Sequence, residues 1–168
     1  PNLNKIINLY NQKKLEEAEK KCREVSENNN KNPEFFNIYA AILYQLNQNS
    51  DAIDKWKKAL KLNPKFVFAY NNIGNVLHKE KKFEDAIKNF DQAISIKEDY
   101  FEPYFNKANV LFELKKYDEA IKNYKNAIEI KKDYFQAFNN LGSVLLELKK
   151  YEEAFCSLVN SCLGLRCG

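Results

Sequence analysis

Asparagine is the residue whose spacing most clearly suggests chemistry in this sequence. Asn72, Asn106 and Asn140 stand 34 residues apart, and further asparagines accompany each of them. Those companions are Asn71, Asn75, Asn109 and Asn139. A carboxamide offers one acceptor and two donors, so it can pair with the N–H and C=O groups of an extended peptide whatever side chains that peptide carries. The pattern therefore indicates recognition of a polypeptide backbone.

Residues for catalysis or metal binding do not form a comparable pattern. His78 is the sole histidine, with no serine, cysteine or carboxylate beside it in a nucleophile or acid–base arrangement, and no glycine-rich phosphate loop occurs. Cys22 stands alone, and the remaining cysteines, Cys156, Cys162 and Cys167, match no zinc-binding spacing. We expect Cys22, Cys156 and Cys162 to fill small apolar sites as free thiols. The sequence predicts no enzyme, no metal and no cofactor.

Composition narrows the class of partner. The 27 basic and 23 acidic residues leave a net charge of +4, too small and too mixed to indicate nucleic acid or an anionic membrane. No apolar run approaches the 18 residues of a membrane span, and the N-terminus lacks a signal-peptide pattern. We therefore expect a protein or peptide partner and a cytoplasmic location. The four glycines and four prolines favour long helices.

An internal repeat organises the whole chain. Alanine recurs every 34 residues, and similar strings such as KKFEDAIKNF and KKYDEAIKNY surround it. The alanines are Ala18, Ala52, Ala86, Ala120 and Ala154. Taking each alanine as position 20 gives a single array of five units, at 1–32, 33–66, 67–100, 101–134 and 135–168. Two apolar stripes at helical spacing recur in each unit, which predicts two amphipathic helices per unit.

The ten predicted helices lie at about 1–12, 14–28, 33–46, 50–62, 67–80, 84–96, 101–114, 118–130, 135–148 and 152–163. Lysine pairs such as Lys81 and Lys82 end the first helix of four units, and acids such as Glu84 begin the second, as expected from the helix dipole. The alternative for this lysine row is a nucleic-acid-binding edge.

The repeat resembles that of the tetratricopeptide family. Aromatic residues occupy positions 4 and 24, and small residues occupy positions 8, 20 and 27, with Lys107 at position 7 and Leu158 at position 24 as departures. The resemblance implies an all-α, right-handed superhelical solenoid whose first helices line a concave groove. On that map the asparagines above, together with His78 and Phe112 at position 12, would face a bound peptide. The predicted function is a scaffold for protein interactions.

The segment YNNIGNVLHKEKKFEDAIKNF is similar to the repeats of O-linked N-acetylglucosamine transferases. That resemblance implies that Asn72, Asn106 and Asn140 form an asparagine ladder for extended peptides. It leaves two alternatives open, the targeting arm of a larger enzyme such as a glycosyltransferase and a self-assembling module. A carboxylate clamp for acidic C-termini fits less well, because Glu102 stands in one of its basic positions.

The last predicted helix, Tyr151 to Leu163, carries apolar residues around much of its circumference. A terminal repeat normally presents a polar outer face. We therefore expect the chain to be part of a longer array, or its last unit to pack on another molecule as a homo-oligomer.

Overall fold

The structure, a computed structural model, describes residues 2–26, 28, 31–150, 153–156, 158 and 159. Helices account for most of these residues, and none of them lies in a β-strand. The helices are α1 (Asn2–Asn11), α2 (Leu15–Val25), α3 (Pro33–Gln45), α4 (Asn49–Leu62), α5 (Val67–Lys79), α6 (Phe83–Ile96), α7 (Phe101–Glu113), α8 (Tyr117–Ile130) and α9 (Phe135–Glu147). Residues 153–156, 158 and 159, in the predicted tenth helix, are also helical, and its ends lie outside the described residues.

The five repeat alanines are all fully buried, as the repeat predicts. Bulky aromatic side chains at position 24 are buried beside them: Trp56 is 2% exposed, Phe90 0% and Tyr124 1%. Small and large residues alternate here because paired helices can approach closely only where one side chain is small. In α9, a Cβ at Gly142 would lie only 2.8 Å from Leu158 Cγ, so the glycine provides the space for that leucine. The predicted all-α repeat fold is confirmed.

Contacts divide the chain into two compact units, Pro1–Val76 and Leu77–Gly168. In the first unit, α1 packs on α2 and α3, α2 also contacts α3, and α3 packs on α4. In the second unit, α7 packs on α6, α8 and α9, and α8 also packs on α9. The single array of five repeats stays a prediction at the level of domains.

The turns that end the first helices share one unusual backbone conformation. Lys13, Asn47, Lys81, Lys115 and Lys149 all have φ between 58° and 60°. After Lys81, the Lys82 N–H donates to the Leu77 carbonyl (2.8 Å), and the Lys81 N–H donates to the His78 carbonyl (2.8 Å). This pair of bonds is a Schellman motif, which usually has glycine at the left-handed residue. The lysine pairs thus lie in the turn just beyond each helix rather than in its last turn.

Polar residues also contribute to packing between repeats. Lys107, which departs from the family pattern, places its Nζ 2.6 Å from Asp91 Oδ1 on α6. In the first unit, buried Glu19 accepts hydrogen bonds from the Tyr39 hydroxyl (3.1 Å) and from Arg23 (Nη2, 2.6 Å). Tyr39 and Lys107 both stand at position 7, so this position carries polar contacts to the preceding repeat in each unit. No helix among the described residues is long and apolar enough to cross a membrane.

Candidate functional site

Three side chains of the second unit meet at one amide oxygen on α7. The Tyr124 hydroxyl, from α8, donates to Asn109 Oδ1 at 2.6 Å, and Asn140 Nδ2, from α9, donates to the same oxygen at 2.9 Å. We call these residues the Asn109 cluster. Tyr124 is buried, whereas Asn109 and Asn140 are half-buried. Burial raises the pKa of Tyr124 to about 12, and the neighbouring Asn140 amide acts in the opposite direction. The hydroxyl therefore stays a donor at neutral pH.

The first unit contains the same arrangement. Trp56 Nε1, from α4, donates to Asn37 Oδ1 on α3 at 3.0 Å, and Asn72 Nδ2, from α5, lies 3.4 Å from that oxygen. We call Asn37, Trp56 and Asn72 the Asn37 cluster. The donors again come from the position 24 aromatic and from the position 6 asparagine of the next repeat. The acceptor moves from position 5 in the first unit to position 9 in the second, which is one helical turn along the same face.

Each cluster holds an asparagine amide in a fixed orientation. Asn140 uses one of its two N–H groups for Asn109, which leaves one N–H and its own Oδ1 for other partners. Because Asn140 is half-buried, part of the side chain faces solvent. A fixed donor and acceptor lose little conformational entropy when they bind a ligand. This geometry suits a peptide group, which also presents one donor and one acceptor.

The other predicted asparagines differ in their exposure. Asn106 and Asn75 are half-buried, and Asn139 is exposed. Asn71 is only 5% exposed, so its amide does not offer the solvent-facing surface that the repeat map led us to expect. We therefore leave Asn71 out of the candidate site. Its burial could not be read from the repeat, because position 5 is also half-buried Asn37 in the preceding unit.

His78 and Phe112 are both half-buried at position 12. His78 Nε2 lies 2.6 Å from Glu113 Oε1, a partner that the sequence analysis missed. Glu113 stands at position 13 of the following repeat, so a search for neighbours one repeat further along would have found it. The His78 ring also packs near Phe83, and Phe112 packs near Tyr117. His78 therefore helps to join two repeats.

The described residues contain no group of three or more histidine, cysteine, aspartate and glutamate side chains placed to hold a metal ion. Cys22 is fully buried, and burial raises the pKa of its thiol to about 12. Cys156 is half-buried, and Cys162 and Cys167 lie outside the described residues. What the site offers chemically is hydrogen bonding by amides.

Comparison with known proteins identifies the repeat. A family model described as TPR repeat matches residues 40–81, 74–114 and 108–149, which together cover more than half of the chain. None of the curated proteins compared matches it.

Solved structures share the fold at low sequence identity. MamA from Desulfovibrio magneticus is 17% identical with a TM-score of 0.84, and the match covers 96% of this chain and 91% of that one. PilF from Pseudomonas aeruginosa is 15% identical with a TM-score of 0.88, over 99% of this chain and 76% of that one. YrrB, described as a TPR protein with an unusual peptide-binding site, is 20% identical with a TM-score of 0.73, over 96% and 83%. At these identities the likeness concerns the fold.

Proposed function

Since this chain belongs to the tetratricopeptide-repeat family, we propose that it is a protein-interaction module that binds an extended peptide on its first helices. The observation that carries this proposal is the Asn109 cluster, in which a buried tyrosine and a half-buried asparagine fix one amide oxygen. The Asn37 cluster repeats the arrangement in the other unit. Nothing in ordinary helix packing requires polar side chains at both places. The peptide-binding description of YrrB is consistent with this role.

The proposed contact is between the peptide backbone and the remaining amide groups of Asn140 and Asn72. A ligand held through its backbone is accepted with many different side chains, while Phe112 and Asn106 would contact those side chains. The sequence resemblance to transferase repeats concerns the same asparagines. A role as the targeting arm of a larger enzyme would use the same contacts.

The test begins with a random peptide library displayed on phage and selected against the purified chain. A selected peptide is then synthesised, and its Kd is measured by isothermal titration calorimetry for the parent and for Asn140→Ala. Because each lost hydrogen bond is worth about 0.5–1.5 kcal/mol, we expect Asn140→Ala to weaken binding by about 2–13-fold. Asn126→Ala removes a half-buried amide from the second helix α8 and is the matched control. An unchanged Kd for Asn140→Ala, or equal losses in both variants, would contradict the proposal.

Exposed apolar side chains favour self-association as a second function. Phe155 is 68% exposed, Leu146 45% and Phe135 44%, all in the second unit. Such groups often mark an interface when they form a patch. The test is the mass in solution by light scattering over a concentration series in reductant, with Phe155→Glu as the variant. A parent mass that rises with concentration, and a variant that stays monomeric, are expected. A monomer at every concentration would refute this candidate. Residues Tyr151, Cys162 and Leu163, which the sequence placed in the same surface, lie outside the described residues.

A further inference from the structure

One carboxylate in the second unit has a buried oxygen without a partner. Glu102 lies in the first turn of α7, and its Oε2 is buried with no hydrogen bond to any described residue. The residue as a whole is half-buried, so part of the side chain faces solvent. A desolvated carboxylate oxygen without a donor is unfavourable, and a basic group that supplies donors would relieve it.

The surroundings of Glu102 are aromatic. The rings of Phe101 and Phe105 both meet Tyr134 edge to face, with centroids 4.8 and 4.9 Å away. Burial, and secondarily the charge of Glu102, raises the pKa of Tyr134. Lys131 is held over Phe101 (4.6 Å to the centroid) and Tyr134 (5.4 Å), and it forms no ion pair with Glu102. The nearest cation therefore binds the ring faces and leaves the carboxylate unpaired.

Glu102 lies on the same face of α7 as the Asn109 cluster. Glu102, Phe105, Asn109 and Phe112 follow one another at spacings of three or four residues, which places them on one side of the helix. Seven residues separate Glu102 from Asn109, or about 10 Å along the helix axis. An extended peptide covers that distance in about three residues. One short peptide could therefore reach both groups.

We propose that Glu102 binds the side chain of an arginine or lysine in the same extended peptide whose backbone the Asn109 cluster holds. This inference rests on the proposed function and adds the chemistry of the ligand. A carboxylate supplies the charge complement of a basic residue, and the neighbouring rings favour a cation, arginine in particular because its planar group also stacks on aromatic faces. The partner would thus carry a basic residue about three positions from the peptide group bound at Asn140.

The experiment compares the parent with Glu102→Gln, which removes the charge and keeps the size. Glu129→Gln is the matched control, because Glu129 is an exposed glutamate on α8. Random peptides displayed on phage are selected separately against all three proteins. We expect arginine or lysine to be enriched at one fixed position with the parent and with Glu129→Gln, and this enrichment to disappear with Glu102→Gln.

Calorimetry with a synthetic parent-selected peptide then measures the contact directly. We expect Glu102→Gln to raise the Kd about tenfold, the typical size of a charge-assisted hydrogen bond. Replacing the peptide's basic residue by norleucine should cost the parent a similar factor and cost Glu102→Gln almost nothing. Higher salt should weaken binding to the parent more than to Glu102→Gln.

Several outcomes separate the possible failures. Equal residue frequencies for the parent and Glu102→Gln would overturn the inference. So would an unchanged Kd with a lowered melting temperature, since that result assigns Glu102 only to stabilising the start of α7. Peptides that bind the parent and are lost on Asn140→Ala, but show no basic preference, would overturn this inference and leave the proposed function standing. Failure to select any peptide with the parent would overturn both.

Discussion

Removing the shared acceptor of the Asn109 cluster should destabilise the second unit measurably. In Asn109→Ala, the Tyr124 hydroxyl loses its acceptor at a site where the residue is 1% exposed. An unsatisfied buried donor costs about 1–3 kcal/mol, whereas the half-buried Asn140 amide can turn to water and costs less. Alanine recovers about 0.5 kcal/mol through its higher helix propensity. We expect a net loss of about 2 kcal/mol.

A double-mutant cycle isolates this contact from other effects of the substitution. Tyr124→Phe alone should cost about 1 kcal/mol, since it removes the donor and leaves Asn109 with Asn140. In the double variant the orphaned hydroxyl is gone, so the combined loss should be about 1 kcal/mol smaller than the sum of the two single losses. Asn126→Ala, on the same helix as Tyr124, should change stability by no more than about 0.5 kcal/mol.

The assay is urea unfolding followed by circular dichroism, with hydrogen exchange to assign the change to α7, α8 and α9. Exchange is needed because repeat arrays can unfold in stages, so one transition does not report on one unit. An Asn109→Ala variant as stable as the parent would refute the reasoning. Strict additivity of the two substitutions would refute it equally, because it would show that Asn109 and Tyr124 do not depend on each other.

Other predictions follow from the turns and the buried titratable groups. Lys81→Gly should stabilise the chain by about 1 kcal/mol in urea unfolding, because glycine has no Cβ penalty at a φ of 59°. Lys82→Gly, at a φ of −85°, should not stabilise it, and equal effects would contradict this explanation. In alkylation by iodoacetamide at pH 8 followed by mass spectrometry, the buried Cys22, with its pKa near 12, should react far more slowly than half-buried Cys156, and equal rates would be contrary evidence. Because the folded pKa of Tyr124 is raised from 10 to about 12, its contribution to stability is complete below pH 10 and is lost as the pH rises from 10 to 12. Denaturant unfolding should therefore show a smaller alkaline loss for Tyr124→Phe than for the parent, and identical losses would exclude this effect.

The fold was predictable because it is written in a period. Each repeat alanine is buried where the period places it, and the described helices lie within a few residues of the predicted ranges. The turns were less predictable, since a left-handed lysine such as Lys81 carries no sequence signal where glycine is the usual residue. Its conformation is imposed by the packing of the helices on either side.

The candidate site was predictable only in part. Repeat position identified Asn109 and Asn140, yet it could not show that they bond to each other and to Tyr124, because these contacts depend on side-chain reach between repeats. Position also failed for Asn71, whose burial differs from that of Asn37 at the equivalent place. Glu102 was read from sequence mainly as a residue that would repel a terminal carboxylate. The unpaired oxygen that gives it a positive role is visible only in the structure.

The most direct test of peptide binding by the asparagines is nuclear magnetic resonance of their side-chain amides. The ¹⁵N-labelled chain would be titrated with a peptide selected from the random library, and the NH₂ signals would be assigned by single substitutions. We predict saturable shifts at Asn140 and Asn109, with Asn126 on α8 unaffected. Shifts confined to the second helices, or a bound peptide that leaves the Asn140 and Asn109 signals unchanged, would contradict the account.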